Sequence, residues 1–168
     1  MTVSVFITSY NQKDLLADAV ESVLAQTRMP DEIIIADDCS GDGSQNLIRS
    51  YATEYPDLIR PIFQERNVGI SLNKNAAYRA TTGDWVTYLD GDDRFRPDKI
   101  EVDLETLKEN PEADIAVANF ANIDAEGRQT HVWCENEEMV PTGNVLIEVL
   151  ARDFPKGDIF RNEMVRRS

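Results

Sequence analysis

The chain has 168 residues, the length of one domain, and 42% of them are hydrophobic, which argues against wholesale disorder. Its formal net charge of −14 at pH 7 disfavours nucleic acid and anionic membranes as partners. No apolar run approaches the roughly 20 residues of a membrane-spanning helix, and the N-terminus lacks the basic and apolar segments of a signal peptide.

The two cysteines, Cys39 and Cys134, lie far apart in the sequence, and we expect both to be free thiols. Together with a single histidine they are too few for the usual structural zinc sites. We therefore expect a cytoplasmic protein, and any contact with the inner face of the membrane would be made through regions not present in this chain.

Strand-like and helix-like segments alternate through the first two thirds of the chain. The predicted strands are short apolar runs rich in β-branched residues, at 3–7, 32–36, 59–64 and 85–89. The predicted helices carry apolar residues at helical spacing, at 14–26, 44–55, 71–80 and 97–110. Ser44 is the predicted N-cap of the second helix, and Pro97 lies in the first turn of the fourth. This alternation predicts an α/β fold with a Rossmann-like, mostly parallel sheet covered by helices on both faces.

The pattern changes after about residue 110. Residues 115–120 predict one more strand, 124–127 a hairpin turn, and 144–151 a helix. His131 and Trp133 fall beyond the turn, where a packed surface hairpin is favoured over contact with a bound substrate.

Polar residues follow three of the predicted strands directly: residues 8–11, Asp37 with Asp38, and residues 90–93. Because the carboxyl ends of parallel strands meet at one edge of a sheet, where ligands of such folds bind, these clusters are expected to meet there. Each also has a simpler interpretation, since aspartate is common in turns.

A site that gathers the aspartates of these clusters carries strong like-charge repulsion unless a cation is bound. Hard divalent cations prefer carboxylate oxygens and complete their shells from water and substrate phosphates. The sequence therefore predicts a metal-bridged diphosphate. The aspartates concerned are Asp37, Asp38, Asp90, Asp92 and Asp93.

Four motifs occur in order along the chain. They are Val-Ser-Val-Phe-Ile-Thr-Ser-Tyr-Asn at 3–11 with Ser-Val-Leu-Ala-Gln-Thr at 22–27, Ile-Ala-Asp-Asp-Cys-Ser at 35–40, Asn-Lys-Asn-Ala-Ala at 73–77, and Tyr-Leu-Asp-Gly-Asp-Asp at 88–93. In order and spacing they resemble family 2 glycosyltransferases with the GT-A fold. Residues 90–92 fit the D-x-D metal motif of that family. The resemblance is close over 3–110 and looser over the rest.

The resemblance implies a nucleotide pocket. Thr8, Tyr10 and Asp38 would line the pocket for the base, with Asp38 accepting a hydrogen bond from a base N–H group. Lys74 would lie near the nucleotide, where its charge offsets that of phosphate. Two alternatives stay open: Tyr10 packs against the sheet, and Lys74 is a solvated lysine on a helix face.

The same resemblance implies a metal-assisted reaction. Asp90 would approach the ribose, Asp92 would ligate Mn²⁺ or Mg²⁺ bridging the diphosphate, and Asp93 is either part of this site or orients the following loop. The implied activity is inverting transfer of a sugar from a nucleoside-diphosphate sugar, with UDP favoured, to a hydroxyl of a saccharide or another acceptor.

Inverting transfer needs a general base for the acceptor hydroxyl. The family carries it in an acidic motif after a strand-and-arginine segment, which residues 158–160 and 164–168 resemble, so the base is expected beyond Ser168. Asp153, Asp158 and Glu163 are the late carboxylates that would substitute for it. The alternative is a non-catalytic nucleotide-sugar-binding fragment.

The expected organisation is one GT-A-like domain over 1–168, with a nucleotide-binding half at 1–110 and a partial acceptor-side half at 111–168. The sugar, the acceptor and the oligomeric state do not follow from the sequence.

Overall fold

The computed structural model describes residues 1–124, 126–132 and 163–167. Strands and helices alternate from residue 3 to residue 117, as the sequence pattern predicts. The elements are β1 (Val3–Ser9), α1 (Lys13–Leu24), β2 (Glu32–Asp37), α2 (Ser44–Glu54), β3 (Ile59–Phe63), α3 (Ile70–Ala80), β4 (Trp85–Asp90), α4 (Lys99–Glu109), β5 (Ile115–Val117), β6 (Ala121–Ile123), β7 (Gln129–Val132) and β8 (Glu163–Arg166).

The main sheet has six strands in the order β3-β2-β1-β4-β8-β5. Strand β1 pairs in parallel with β2 on one side and with β4 on the other, and β2 pairs in parallel with β3. Strand β8 runs antiparallel to β4. The predicted α/β fold with a mostly parallel sheet is therefore confirmed. The chain winds from β1 outwards to β3 and then returns to β4 on the opposite side of β1, so a ligand crevice is expected at the carboxyl ends of β1 and β4.

Two apolar clusters cover the two faces of this sheet. Ile33 and Ile35 of β2 belong to the first cluster with residues of α1, α2 and α4, whereas Ile34 belongs to the second with Ala77 of α3. All three isoleucines are fully buried. Burial on both faces explains why β2 is an uninterrupted apolar run, and each such side chain contributes about 1.5–3 kcal/mol on removal from water.

Contact between residues divides the chain into two compact units, one of residues 1–116 with the segment from Met164 onwards, and one of residues 117–163. The described part of the second unit includes the antiparallel hairpin of β6 and β7, whose turn begins at Asp124 and contains Gly127 at a φ of +78°. The predicted hairpin turn is confirmed. His131 is exposed on β7.

Two predicted helix starts are wrong. Ser44 is the first residue of α2, and Gly43 is the N-cap at a φ of +95°. The side chain of Asp42 takes over the capping contact, because its Oδ1 accepts hydrogen bonds from Ser44 N (2.9 Å) and Ser44 Oγ (2.6 Å). Helix α4 begins at Lys99, so Pro97 precedes the helix, and its carbonyl accepts the N–H of Thr27 instead (2.8 Å).

The strand predicted at 115–120 is also shorter than expected, because β5 ends at Val117 and three irregular residues separate it from β6. Cys39 is an exposed free thiol. None of the described helices is long and apolar enough to span a membrane. The helix predicted at 144–151, and Trp133, Cys134, Asp153 and Asp158, lie outside the described residues.

Candidate functional site

The three polar clusters meet at the carboxyl edge of the sheet. Thr8 pairs with Ala36 of β2 on one side and with Asp90 of β4 on the other, and Ser9 pairs with Asp37. Residues separated by 82 positions in the sequence thus become neighbours. The expected meeting of strand ends is observed.

An ion pair and two further contacts link β1, β4 and α3 at this edge. Lys74 Nζ lies 2.8 Å from Asp90 Oδ1, and Thr8 Oγ1 donates a hydrogen bond to the same oxygen at 3.3 Å. The ammonium group also lies 4.2 Å from the ring centroid of Tyr88, a favourable cation–π distance. The side chains of Lys74 and Asp90 are 27% and 31% exposed. Lys74 is therefore directed at the site edge, and a ligand entering there meets both a cation and a carboxylate.

Asp38 anchors the start of α3. Its carboxyl group is 3% exposed and accepts the backbone N–H of Val68 on Oδ1 (2.7 Å) and that of Gly69 on Oδ2 (2.9 Å). Gly69 is the N-cap of α3 at a φ of +87°, a conformation that favours glycine. A carboxylate in this position also complements the positive end of the helix dipole.

The sequence does not reveal this contact, since its donors are backbone groups 30 residues downstream. Each carboxylate oxygen has a second lone pair. The contact of Asp38 with a base N–H therefore stays a prediction.

Asp37, fully buried at the end of β2, organises the turn that follows it. Its Oδ2 accepts hydrogen bonds from Ser40 N and Gln45 Nε2, both at 2.9 Å. Its Oδ1 has no hydrogen-bond partner among the described residues, and neither does the Oγ of its strand neighbour Ser9, which is 2% exposed. The carboxyl edge thus keeps unmatched polar atoms beside the predicted nucleotide pocket. Tyr10, 48% exposed, also lies at this edge.

Asp92 is exposed on the loop that follows β4. The loop starts in a tight turn: Gly91 N donates to Thr8 O at 2.9 Å, and Asp93 N donates to Asp90 O at 3.0 Å. A Cβ atom at Gly91 would lie 2.7 Å from Thr8 O, so only glycine allows the loop to approach β1 this closely.

The clusters meet, but the expectation that their five aspartates share one metal site is wrong. No three Asp, Glu, His or Cys side chains of the described residues are placed to hold a metal ion together. Asp37 and Asp38 are turned towards N–H donors, and Asp90 towards Lys74 and Thr8. Asp92 remains as an exposed oxygen donor. A single exposed carboxylate such as Asp92 fits a hard cation that takes the remaining ligands of its coordination shell from a diphosphate and water.

The sequence as a whole matches the profile described as "Glycosyl transferase family 2" over residues 4–164. The chain belongs to glycosyl transferase family 2. Among curated relatives, the putative teichuronic acid biosynthesis glycosyltransferase TuaG of Bacillus subtilis is 38% identical over 107 residues, 64% of this chain and 42% of the relative. An uncharacterized glycosyltransferase of Nostoc is 38% identical over 152 residues, 86% of this chain and 47% of the relative. The chain thus spans less than half the length of these relatives.

Solved structures share the fold of this family member. S. aureus TarS 1-349 aligns with 99% of this chain and 47% of its own at a TM-score of 0.72 and 19% identity. The same protein in complex with UDP covers 68% of this chain and 34% of its own, at 0.61 and 23%. The mannosyltransferase PcManGT of Pyrobaculum calidifontis, in complex with GDP-Man and Mn²⁺, covers 67% and 34%, at 0.60 and 24%. The GT-A fold expected from the sequence is thereby confirmed.

Proposed function

We propose that this glycosyltransferase binds a UDP-sugar at the carboxyl edge of its sheet and transfers the sugar to an acceptor hydroxyl with the aid of Mn²⁺ or Mg²⁺. The contact of Lys74 and Thr8 with Asp90 supports this most directly. It places a cation that can bind phosphate beside a carboxylate that can accept hydrogen bonds from hydroxyl groups. Both lie at the crevice between β1 and β4, where nucleotides bind in folds of this type.

The binding roles that we propose are those implied by the family resemblance, and the positions of the side chains support them. Asp90 accepts hydrogen bonds from a ribose hydroxyl, and Lys74, whose Nζ lies 2.8 Å from that carboxylate, offsets the charge of the diphosphate. Thr8, Tyr10 and Asp38 line the space for the base at the ends of β1 and β2. UDP is proposed as the nucleotide after TarS, which is solved with UDP and with UDP-GlcNAc, whereas PcManGT is solved with GDP-Man, so a matched GDP titration tests this choice.

The cation is held by Asp92 together with the diphosphate. When bound, it stabilises the negative charge that develops on the leaving nucleoside diphosphate. The Mn²⁺ in a structural neighbour supports this proposal, and so does the exposure of Asp92 on a loop fixed against β1.

The proposed reaction is a single displacement that inverts the anomeric centre. The acceptor oxygen forms a bond to the anomeric carbon while the bond to the diphosphate oxygen breaks, and the nucleoside diphosphate leaves with the electron pair. A general base takes the proton of the acceptor hydroxyl. Among the described residues we assign no base. Glu163, one of the late carboxylates, is the first residue of β8, and its role as a base stays a prediction.

Binding without transfer is the second candidate function. The point that favours it is that no general base is assigned among the described residues, whereas the proposed donor site is made of residues from Thr8 to Asp92. Such a chain binds the nucleotide sugar and releases no UDP.

Calorimetric titration of UDP with and without Mn²⁺ tests the proposal. We expect binding that strengthens with Mn²⁺, whereas uridine, which lacks the diphosphate, gains nothing from the metal. Absence of UDP binding under both conditions contradicts the proposed donor site. Release of UDP from a UDP-sugar in the presence of an acceptor then separates transfer from binding alone.

A further inference from the structure

The motif at 22–27, which the nucleotide site leaves unexplained, packs against the segment that follows Asp92. This motif lies at the end of α1 and just beyond it, about 70 residues before its partners in the chain. Three of its members, Ser22, Gln26 and Thr27, bond the backbone of residues 95–100.

Gln26 makes the central contacts. Its Nε2 donates to the carbonyl of Arg96 (2.6 Å) and to the carbonyl of Ser22 (3.1 Å), while its Oε1 accepts the backbone N–H of Ile100 (3.1 Å). The side-chain amide thus uses both of its N–H donors and its carbonyl oxygen. It joins the loop before α4 to the first turn of that helix.

Burial makes these contacts hard to replace. Gln26 is 5% exposed, so water has little access to the groups it bonds. A residue that cannot form hydrogen bonds at this position leaves Ile100 N without its acceptor in a protein interior, which is costly, and leaves Arg96 O only the N–H of Lys99 (3.1 Å). An apolar residue of the same length fills the space but loses the connection.

Neighbouring contacts hold the same segment. Phe95 N donates to Ser22 Oγ at 3.1 Å, Thr27 N donates to Pro97 O at 2.8 Å, and the side chain of Phe95 is buried in the first apolar cluster. An ion pair between Arg94 and Asp18 of α1 adds an exposed contact two residues after Asp92.

The other end of the loop is held by β1, through the hydrogen bond from Gly91 N to Thr8 O. Asp92 therefore lies between two fixed points, β1 before it and α1 after it. A loop held at both ends restrains the backbone that carries Asp92, which lowers the entropy lost when the carboxylate binds a cation.

We propose that Gln26 is a positioning residue, which fixes the end of the Asp92 loop on α1 so that Asp92 is presented to the cation of the bound diphosphate. The part of this inference that concerns the cation rests on the proposed function. The part that concerns the loop rests only on the contacts of Gln26.

Trypsin cleavage of the Arg94–Phe95 bond in the 168-residue chain, followed by mass spectrometry, reports opening of the loop. Arg94 is half-exposed while Phe95 is buried, so cleavage there requires the segment to leave α1. The test variant is Gln26→Met, which keeps the length of the side chain without its donors and acceptor. The matched control is Ser4→Ala, which removes a buried hydroxyl that bridges Glu32 and Gly83 at the opposite edge of the sheet.

We expect Gln26→Met to raise the rate of this cleavage about tenfold above that of the wild-type chain, the factor that corresponds to loss of one to two buried hydrogen bonds. Ser4→Ala is expected to leave it within about twofold. Urea unfolding of each variant shows how much of any change comes from global stability. Equal cleavage rates in Gln26→Met and Ser4→Ala, at equal global stability, overturn the proposal.

Titration of UDP with and without Mn²⁺ supplies the second measurement. Gln26→Met is expected to lose most of the affinity that Mn²⁺ adds, and to keep the affinity for uridine. Conservative Gln26→Glu, which retains an acceptor for Ile100 N–H, is expected to fall between the two. An unchanged Mn²⁺ gain in a variant whose loop is cleaved faster overturns the role towards the cation. If the wild-type chain itself shows no Mn²⁺ gain, the proposed function fails, and the cleavage rates alone decide whether Gln26 positions the loop.

Discussion

The two edges of the parallel sheet use their carboxylates differently. At the amino edge, Glu32 Oε1 accepts hydrogen bonds from Ser4 Oγ (2.6 Å) and from Thr82 Oγ1 (2.9 Å). Asp84 Oδ2 accepts both the backbone N–H and the hydroxyl of Thr2, each at 2.9 Å. These contacts lower the pKa of both carboxyl groups. They tie together the starts of β1, β2 and β4.

At the carboxyl edge, some polar atoms are buried without a partner and others are exposed. Asp37 Oδ1 and Ser9 Oγ are buried without a hydrogen-bond partner among the described residues. The ion pair of Lys74 and Asp90 is about one third exposed, and Asp92 is exposed on its loop. Buried polar groups of folded proteins are normally hydrogen-bonded, so the unpaired ones at this edge lower the free energy of unfolding.

This difference between the two edges separates carboxylates that stabilise the fold from those that can bind a ligand. Carboxylates whose hydrogen bonds are already made at the amino edge have little to offer a ligand. At the carboxyl edge Asp37 and Asp38 also have hydrogen bonds within the protein, whereas Asp90, about one third exposed, and Asp92, which is exposed, can still be reached by a ligand. Substitutions at the amino edge should therefore change the free energy of unfolding alone, whereas those of the exposed groups at the carboxyl edge should change the affinity for nucleotide.

Asp92→Ala is expected to have the largest effect on binding. Loss of the proposed metal ligand should remove the Mn²⁺-dependent part of UDP affinity, about 100-fold if the metal contributes several kcal/mol. Calorimetry with and without Mn²⁺ measures it, and circular dichroism checks the fold. Asp57→Ala, at an exposed position remote from the edge, is the control. If Mn²⁺ still strengthens UDP binding in Asp92→Ala, the assignment of Asp92 as a metal ligand is contradicted.

Glu32→Gln should destabilise the fold by about 2 kcal/mol near neutral pH, since a partly buried carboxylate is lost from its hydrogen bonds. Burial opposes ionisation of Glu32, but hydrogen bonds from Ser4 and Thr82 and the nearby charge of Arg60 outweigh it and lower its pKa below 4.5. A depressed pKa contributes stability above the unfolded value, which is lost as the pH falls through the folded one.

Urea unfolding of wild type and Glu32→Gln at neutral and acidic pH checks this sign. The difference in the free energy of unfolding should shrink below pH 4.5. UDP affinity should stay unchanged, which sharpens the contrast between the edges. Glu105→Gln, at an exposed position of α4, controls for the loss of a surface charge. A difference that is constant with pH would mean that the carboxylate charge is not what stabilises this edge.

Lys74→Met should weaken UDP binding about tenfold, because a charge-assisted contact with phosphate is lost. Uridine affinity should be unaffected, since the nucleoside carries no phosphate. Lys74→Arg keeps the charge and serves as the matched variant. Equal losses for UDP and uridine in Lys74→Met would assign Lys74 to the shape of the pocket rather than to the diphosphate.

Asp38→Ala is expected to have the smallest effect on binding, roughly a fivefold loss of uridine affinity without metal, the range of one hydrogen bond. The measurement is a uridine titration in the presence of a chelator. Thermal unfolding reports the cost of releasing Val68 and Gly69. Reduced stability with unchanged uridine affinity would leave Asp38 only the role of anchoring α3.

Much of the first half of the chain follows from the sequence alone. Apolar runs and helical spacing place β1 to β4 and α1 to α4 within a few residues of their observed bounds, because burial patterns and turn residues act locally. The polar clusters at the strand ends follow from the same pattern, and the parallel sheet brings them to one edge. Errors arise where two local signals compete: Ser44 has the chemistry of an N-cap, but Asp42 two residues earlier already supplies the acceptor.

Tertiary structure decides which of these polar groups are still available. The five aspartates look alike in the sequence, yet Asp38 bonds backbone N–H groups 30 residues away and Asp90 pairs with Lys74 of a different element. Gln26 shows the same limit, since its partners lie about 70 residues further along the chain. Nearly every residue has a backbone donor and acceptor, so the sequence does not indicate which of these groups a given side chain will bond. Only the packing of α1 and α3 against the strand ends selects which side chains they engage.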